Sequence, residues 1–192
     1  MQVKVGTVYN KFLTPEECEQ LIQIAEETGF EKLPPERYNI NQRTNTRLRV
    51  EDSTVAEWMW KRLEPLLLPT DQIVDCPETK TRWRAVGLNS HLRFCKYIPP
   101  QFFAKHIDEQ VFQGELRSFR TAMLYLNTMS EGSGGATRFY SHNGRSLYVD
   151  YSYHPLVGDL FAFGQGQLHD GEPVLADTKY ILRSEILYRP EV

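Results

Sequence analysis

Residues 102–112 read FFAKHIDEQVF, which places a histidine and an aspartate one residue apart among aromatic and aliphatic side chains. In an extended strand, side chains two positions apart lie on the same face. His106 and Asp108 would then emerge side by side, while Ile107 packs on the opposite, apolar face. A hydrogen-bonded polar pair at a strand end would explain this pattern without any function. The other interpretation is two ligands of a metal site, which needs a third ligand elsewhere in the chain.

His169 has the most suitable context for that third ligand. It follows the apolar run LVGDLFAFGQGQL and precedes DGEPV, which is typical of a turn before a last long strand. In a jelly-roll barrel, strands distant in sequence face each other across one mouth, so a residue about sixty positions beyond the His-x-Asp pair can complete the site. Two imidazoles and one carboxylate that leave the remaining metal positions open are typical of non-haem Fe(II) oxygenases.

Short apolar runs separated by glycine, proline, asparagine and aspartate turns fill the chain from about residue 83 onward. Many short strands at regular spacing indicate a β-sandwich or barrel. We therefore predict a mainly β fold with helices packed on one side. The predicted strands contain the runs LRFCKYI, TAMLYLN, ATRFY, SLYVDYSY, LFAFG and KYILRSEILY.

Two helices are predicted before these strands. The residues Thr-Pro-Glu-Glu at 14–17 form a capping box with proline at the first helical position, and an apolar stripe continues to a stop at Gly29. A second helix begins near Asp52 and carries apolar residues up to Leu67. Between the helices, RYNINQRTNTRLRV at residues 37–50 indicates a strand or hairpin with an arginine-bearing polar face.

The composition suits one compact globular domain over residues 1–192, since 41% of the residues are hydrophobic and 24% are charged. Basic and acidic side chains nearly balance, at 22 and 25, so the charge gives no reason to expect nucleic acid or an anionic membrane as a partner. The three cysteines are widely spaced and form no CxxC, which argues against a disulfide framework and a thiolate zinc site.

The segment MQVKVGTVYN lacks the long apolar region of a signal peptide, and no apolar run approaches the roughly 18 residues of a membrane span. The expected location is therefore the cytoplasm.

Lys179 lies ten residues beyond His169, past a proline and an Ala-Asp-Thr turn, so the chain can return a cation toward the metal. A lysine buried on a barrel strand costs free energy unless an anion meets it, and the carboxylate of a dicarboxylic cosubstrate is such an anion. The alternative is a side chain that extends to solvent from a strand end.

Taken together, these motifs resemble the Fe(II)/2-oxoglutarate-dependent dioxygenases, and within them the prolyl-4-hydroxylase-like family. The resemblance covers roughly residues 85–190, about half of the chain. It implies a double-stranded β-helix (jelly-roll) core over about 83–190, buttressed by a helical N-terminal part over about 1–82. The matching pieces are FCKYIPPQFFAKHID, TAMLYLN followed by EGSGGATRFY, and LHDGEPVLADTKYILRSEILY.

The resemblance also implies roles for individual residues. His106, Asp108 and His169 become the Fe(II) ligands, and Lys179 becomes the partner of the distal carboxylate of 2-oxoglutarate. Tyr125 and Tyr97 match positions where family members often place tyrosines near this cosubstrate. Arg183 is the alternative anchor, because it lies on the same strand face as Lys179 four residues later.

The implied reaction is O2-dependent decarboxylation of 2-oxoglutarate to succinate and CO2, coupled to hydroxylation of a C–H bond of a peptidyl residue such as proline. Ascorbate is implied as the reductant that returns over-oxidised iron to Fe(II). Two alternatives stay open, namely a hydroxylase of a free amino acid or small metabolite and a non-catalytic cupin-like module that binds metal or 2-oxoglutarate. A zinc hydrolase with the same three ligands would lack an evident general base beside the motif.

Arginines are the candidates for contact with a peptide, protein or small-molecule substrate. Arg43 and Arg47 alternate along the predicted strand and share one face, while Arg120 and Arg138 could reach the same mouth from the barrel. Charged residues that protect a sheet edge explain the same pattern without a substrate. Hydroxylases of peptidyl proline carry an arginine at the position of Ser118, so the chain departs from them there.

Overall fold

The computed structural model describes residues 1–32, 41–78 and 80–191. Strand makes up 47% and helix 18%, so the predicted mainly β class is confirmed. Within the described residues, none of the helices is both long and apolar enough to span a membrane.

Helix α1 (Pro15–Thr28) begins at the predicted capping box. The backbone N–H of Glu17 donates to Thr14 Oγ1 at 3.2 Å, and the Thr14 N–H donates to the Glu17 carboxylate at 2.9 Å, which satisfies two N–H groups that the helix leaves open. The helix stops at Gly29, where φ is 99°. Both predicted ends of this helix are therefore confirmed.

Helix α2 (Ser53–Leu63) is shorter than predicted. Asp52 caps it, because its carboxylate accepts from the Val55 N–H at 2.9 Å. The predicted extension to Leu67 is wrong, since Pro65 has no N–H to donate within a helix. A 3₁₀ turn (Glu64–Leu66) takes its place, and a short helix α3 (Pro69–Gln72) follows.

The strands of the described residues are numbered in chain order. They are β1 (Gln2–Val3), β2 (Gly6–Tyr9), β3 (Glu31–Lys32), β4 (Thr46–Glu51), β5 (Ile73–Cys76), β6 (Thr81–Leu88), β7 (His91–Tyr97), β8 (Phe103–His106), β9 (Phe112–Gln113), β10 (Leu116–Tyr125), β11 (Thr137–His142), β12 (Leu147–Tyr153), β13 (Leu160–Gly164), β14 (His169–Gly171) and β15 (Lys179–Pro190).

Two antiparallel sheets form the core. The main path of the larger sheet runs β1-β2-β13-β10-β15-β7-β4-β3, and the smaller sheet runs β12-β11-β14-β8. Strands far apart in the chain are neighbours, as where β15 lies between β10 and β7. This connectivity is that of a jelly roll, which confirms the predicted core.

Buried apolar residues form two clusters on opposite faces of the larger sheet. One cluster lies between the sheet and the helices and includes Cys18, Met59, Leu92 and Leu182. The other lies inside the jelly roll and includes several aromatic residues, such as Phe139 and Phe161. The helices thus cover one face of the sheet and leave the other face to the barrel interior.

The predicted strand between the two helices is partly confirmed by β4, which pairs with β7. Residues 37–40 of that prediction lie outside the described residues. The N-terminal part also contributes β2, which pairs with β13 at the other end of the larger sheet. The division of the chain near residue 82 therefore stays a prediction, and the sheet itself crosses that position.

Candidate active site

Two strands of the smaller sheet bring the two predicted histidines together. His169 at the start of β14 lies directly opposite His106 at the end of β8. Asp108 follows two residues later, and its backbone N–H donates to the Gln165 carbonyl at 2.9 Å. One ligand atom from each of the three side chains lies within 4.8 Å of the others. The structure thus brings this triad together from positions about sixty residues apart.

The alternation assumed for His106, Ile107 and Asp108 is wrong in one respect. Strand β8 ends at His106, so the following two residues are not part of a pleated strand. Ile107 is 58% exposed instead of packed in an apolar layer. Asp108 nevertheless turns back to the histidine, with Oδ1 3.5 Å from His106 Nε2.

Both histidines are oriented by their own backbone. Nδ1 of His106 lies 2.9 Å from the Ala104 carbonyl, and Nδ1 of His169 lies 2.9 Å from the Gln167 carbonyl. A carbonyl oxygen can only accept, so Nδ1 carries the proton and Nε2 presents a lone pair to the centre of the triad. Burial lowers the pKa of His169 to about 4, which keeps this imidazole neutral near pH 7.

Asp108 is buried and held by two donors. Thr121 Oγ1 donates to Oδ2 at 2.5 Å, and Arg183 Nη2 lies 3.0 Å from Oδ1. Burial alone would raise the pKa of this carboxyl. The nearby His106 side chain, the charge of Arg183 and the Thr121 hydroxyl outweigh burial and hold the pKa well below its usual range. The triad therefore offers two imidazole nitrogens and one carboxylate.

Lys179 enters the same cavity from the first position of β15. It is 3% exposed, and its ammonium donates to the Gly135 carbonyl at 2.6 Å. Its nitrogen lies 5.6 Å from the centroid of the Tyr97 ring and 5.7 Å from that of Tyr125. No carboxylate of the described residues forms an ion pair with it, and burial lowers its pKa to about 8.

A pair of glycines makes room for this lysine. Gly134 and Gly135 have φ values of 69° and 76°, a region that side chains disfavour. A Cβ on Gly134 would lie 2.2 Å from the Pro173 carbonyl oxygen, and one on Gly135 would lie 3.5 Å from Lys179 Cδ. The glycine turn thus places the Gly135 carbonyl against the lysine.

The family model described as "2OG-Fe(II) oxygenase superfamily" matches residues 92–184, a range that contains the triad and Lys179. The matched segment is just under half of the chain. Together with the fold and the triad, it identifies the chain as a 2-oxoglutarate-dependent oxygenase, with Fe(II) and 2-oxoglutarate as its cofactors. No curated protein sequence matches the chain significantly.

Several solved structures share the fold at low sequence identity. The viral collagen prolyl hydroxylase vCPH from Paramecium Bursaria Chlorella virus-1, in complex with 2-oxoglutarate, is 20% identical, with a TM-score of 0.66 over 96% of each chain. A prolyl hydroxylase from Trichoplax adhaerens, in complex with a hypoxia inducible factor peptide fragment, is 16% identical, with a TM-score of 0.67 over 95% of this chain and 82% of that chain.

HygX from Streptomyces hygroscopicus, with nickel, 2-oxoglutarate and hygromycin B bound, is 13% identical. Its TM-score is 0.58 over 97% of this chain and 83% of that chain. At these identities the likenesses establish the fold of the oxygenase.

The predicted arginines fall into two groups. Arg43 and Arg47 are buried beside the triad in the cavity of the oxygenase, and Arg183 lies there as the partner of Asp108. Arg120 Nε lies 3.0 Å from Asp71, on the face of β10 opposite to Thr121. Its predicted substrate role gains no support from these contacts.

Arg138 is likewise engaged outside the barrel interior. Its Nε and Nη2 donate to the Asp170 carboxylate at 2.9 and 2.7 Å, and its Nη1 lies 3.3 Å from Glu172. On β11 it alternates with the buried Thr137 and Phe139, whose side chains face the core. The structure therefore does not bring Arg138 to the triad.

Several residues of the site were not predicted from the sequence. Thr121 lies four residues before Tyr125 on β10, so strand periodicity could have placed both on the site face. Phe103 stacks on His106 with ring centroids 3.5 Å apart. Arg93 donates to Glu185, a fully buried carboxylate that also lies 3.4 Å from Arg183. Arg93 and Glu185 are 92 residues apart in the chain, so their contact leaves no local signal in the sequence.

Proposed function

We propose that this oxygenase hydroxylates a C–H bond of a peptidyl residue such as proline. In this proposal His106, Asp108 and His169 hold Fe(II), and Lys179 binds the distal carboxylate of 2-oxoglutarate. The observation that carries it is the position of Lys179, a buried cation without an acidic partner among the described residues, in the cavity that contains the triad.

The triad fits Fe(II) by its donor set. Two imidazole nitrogens and one carboxylate leave coordination positions open, which suits non-haem Fe(II) oxygenases. When bound, Fe(II), 2-oxoglutarate and O2 supply the oxidation, with succinate and CO2 as the products of the cosubstrate. The backbone hydrogen bonds at Nδ1 of His106 and His169 fix the direction of each ligand nitrogen before any metal enters.

Lys179 fits the cosubstrate by charge. A buried ammonium is costly, and its low pKa of about 8 expresses that cost. A carboxylate placed against it would stabilise the charged form and offset the cost of its burial. The Tyr97 and Tyr125 rings both lie near the ammonium, and the Tyr125 hydroxyl donates to Thr137 Oγ1 at 2.9 Å. These rings form apolar walls for the carbon chain of 2-oxoglutarate.

The remaining side chains position the ligands and exclude water. Thr121 and Arg183 hold the two oxygens of Asp108, so that its carboxylate cannot rotate away. Phe103, Phe139 and Phe163 pack on the histidine rings, with centroids 3.5 to 5.7 Å apart. A dry and fixed site is what an oxidation of an unactivated C–H bond requires.

A peptidyl substrate is favoured by an open groove that leads from the triad along β4 and β7. Among the similar structures, one prolyl hydroxylase holds a peptide fragment, whereas HygX holds hygromycin B. Oxygen-dependent succinate release should therefore be measured against a panel of peptides and of free amino acids. Stimulation by free amino acids alone would contradict a peptidyl substrate, and binding without any succinate release would indicate a non-catalytic module.

Two kinds of variant test the residue roles. Asp108→Ala should abolish Fe(II)-dependent turnover with the fold retained, because the apolar core does not include the triad. Lys179→Met should weaken 2-oxoglutarate binding by about ten- to hundred-fold, the effect of losing a charged hydrogen bond of roughly 1.5–3 kcal/mol.

The matched control is Lys96→Met, which removes a lysine on the other face of the sheet, where it pairs with Glu26. Calorimetric titration of 2-oxoglutarate into the Mn(II)-loaded proteins without oxygen measures these affinities. An unchanged affinity in Lys179→Met would move the anchor role to Arg183.

A further inference from the structure

Three arginines form a row across three adjacent strands on the site face of the larger sheet. Arg49 of β4 lies directly opposite Arg93 of β7, and Arg93 lies directly opposite Arg183 of β15. Like charges at directly opposite positions destabilise a sheet. Negative charge on the same face would reduce the repulsion between these arginines.

At the inner end of the row, two carboxylates of the protein supply negative charge. Glu185 is fully buried and accepts from Arg93, and it also lies 3.4 Å from Arg183. Asp108 pairs with Arg183 at 3.0 Å. Asp108 is also a proposed ligand of Fe(II). A bound metal ion would neutralise part of its negative charge and so make this end of the row more positive.

Two further arginines extend the positive surface toward the triad. The Arg43 guanidinium lies 3.6 Å from the centroid of the Phe103 ring, and that ring stacks on His106. Arg47 precedes Arg49 by two residues on β4, so both point to the same face. Arg43, Arg47, Arg49, Arg93 and Arg183 are called the arginine groove below.

The arginine groove lines an open depression beside the triad. Among the described residues that line it, these five arginines outnumber the acidic side chains, which are Asp108 and Glu109. The depression continues past Arg49 and Arg93 to Val111 and Phe112. Phe112 is 67% exposed, and Ile107 at the rim is 58% exposed. The surface is thus elongated, basic along its floor and apolar at its rim.

We propose that the arginine groove binds an acidic peptide, with aspartate or glutamate side chains near the residue that is hydroxylated. This inference rests on the proposed function and specifies its substrate. The row of three arginines spans about 10 Å, because neighbouring strands lie about 4.8 Å apart. That span matches about three residues of an extended peptide at roughly 3.3 Å each, and it exceeds a single small dicarboxylate.

Binding should be measured without turnover, with the full chain loaded with Mn(II) and 2-oxoglutarate under argon. The probes are three fluorescein-labelled peptides that share a central proline and differ only in alternating glutamate, glutamine or lysine residues. We expect the glutamate peptide to bind at least about ten-fold more tightly than its glutamine counterpart, as the retention of one charged hydrogen bond implies. The difference should shrink as salt rises from about 50 to about 500 mM.

Arg49→Gln tests the outer end of the arginine groove. Arg49 is exposed, and its strand β4 is separated by β7 from the strand that carries Lys179, so the variant should fold and bind 2-oxoglutarate normally. It should lose several-fold affinity for the glutamate peptide and little for the glutamine peptide. The matched control is Arg82→Gln, which removes an exposed arginine that pairs with Asp75 on another part of the sheet.

Equal affinity for the glutamate and glutamine peptides would overturn the proposal, and so would equal losses in Arg49→Gln and Arg82→Gln. Competition by free glutamate at concentrations as low as those of the peptide would assign the arginine groove to a small acid instead. The titration of 2-oxoglutarate into the same samples distinguishes a failure of this inference from a failure of the proposed function. If 2-oxoglutarate binds while no acidic preference exists, this inference alone fails; if 2-oxoglutarate does not bind, the proposed function fails.

Discussion

At the scale of single residues, burial gives Lys179 a proton affinity unlike that of a surface lysine. Its pKa of about 8 lies below the ordinary value of 10.5, because the charged form loses hydration in the cavity. Near pH 7 the ammonium is still present to meet a carboxylate. Above pH 8 an ordinary lysine would remain charged, whereas this one releases its proton.

The affinity for 2-oxoglutarate should therefore decline as pH rises above about 8, by up to about ten-fold per pH unit. The sign follows from the lowered pKa, since the neutral amine prevails in the free protein at alkaline pH. Calorimetric titration with Mn(II) between about pH 7 and 9.5 measures the decline. Lys179→Met should show a weak affinity without this pH dependence, and a flat profile in the wild-type protein would contradict the assignment.

The sequence indicates the place of a side chain in the fold where that place depends on the strand that carries it. His106, His169 and Lys179 lie at strand ends, and the motifs around them indicate that position. Arg120 shows the limit, because it lies five residues from Tyr125 and so falls on the opposite face of the same strand. Its partner Asp71 lies in α3, about fifty residues away, and no local sequence pattern predicts that ion pair.

At the scale of elements, the glycine turn before β11 links backbone conformation to cosubstrate binding. Gly134→Ala should cost more than 2 kcal/mol of stability, since it adds an unfavourable positive φ and a close contact with the Pro173 carbonyl. The displaced turn should also weaken 2-oxoglutarate binding through the Gly135 carbonyl. Urea denaturation and calorimetric titration measure the two effects.

Gly144→Ala is the matched control for that turn. Gly144 also has a positive φ, of 86°, but a Cβ there would meet nothing within 4 Å. This variant should lose only about 1 kcal/mol, from the backbone conformation alone. Equal losses in the two variants would show that the contact with Pro173 is unimportant.

The elements themselves could be predicted from the sequence to different degrees. The ends of α1 were predictable because the capping box and Gly29 are local signals. The predicted C-terminal end of α2 lies four residues beyond the observed end at Leu63, although Pro65 within the predicted span indicates an earlier stop. The end of β8 was not predictable, since the chain leaves the sheet after His106 to bring Asp108 toward Arg183 and Thr121.

At the scale of the whole molecule, the N-terminal part and the barrel share one sheet. Strand β4 pairs with β7, β2 pairs with β13, and α2 packs on the apolar face of the same sheet. The larger sheet therefore crosses the predicted boundary near residue 82. Pairing between distant strands is what single-sequence patterns do not encode.

The chain should therefore unfold as one domain, in a single transition. Its three tryptophans lie at residues 58, 60 and 83, in α2 and β6, so their fluorescence reports the N-terminal half and its junction with the barrel. Far-UV circular dichroism reports the strands of both halves. The two urea curves should coincide, as two-state unfolding requires. A separate fluorescence transition at lower urea would show that the N-terminal part is an independent unit.

The hydrogen bonds at Nδ1 of the two histidines have a consequence for how the sequence can change over time. Ala104 and Gln167 contribute only their carbonyl oxygens, and every amino acid carries a carbonyl. The orientation of His106 and His169 thus depends on the backbone geometry of the strands and not on the identity of neighbouring side chains. Residues around the triad can therefore be substituted without changing the direction of its ligand nitrogens. The site can persist while most of the surrounding sequence changes.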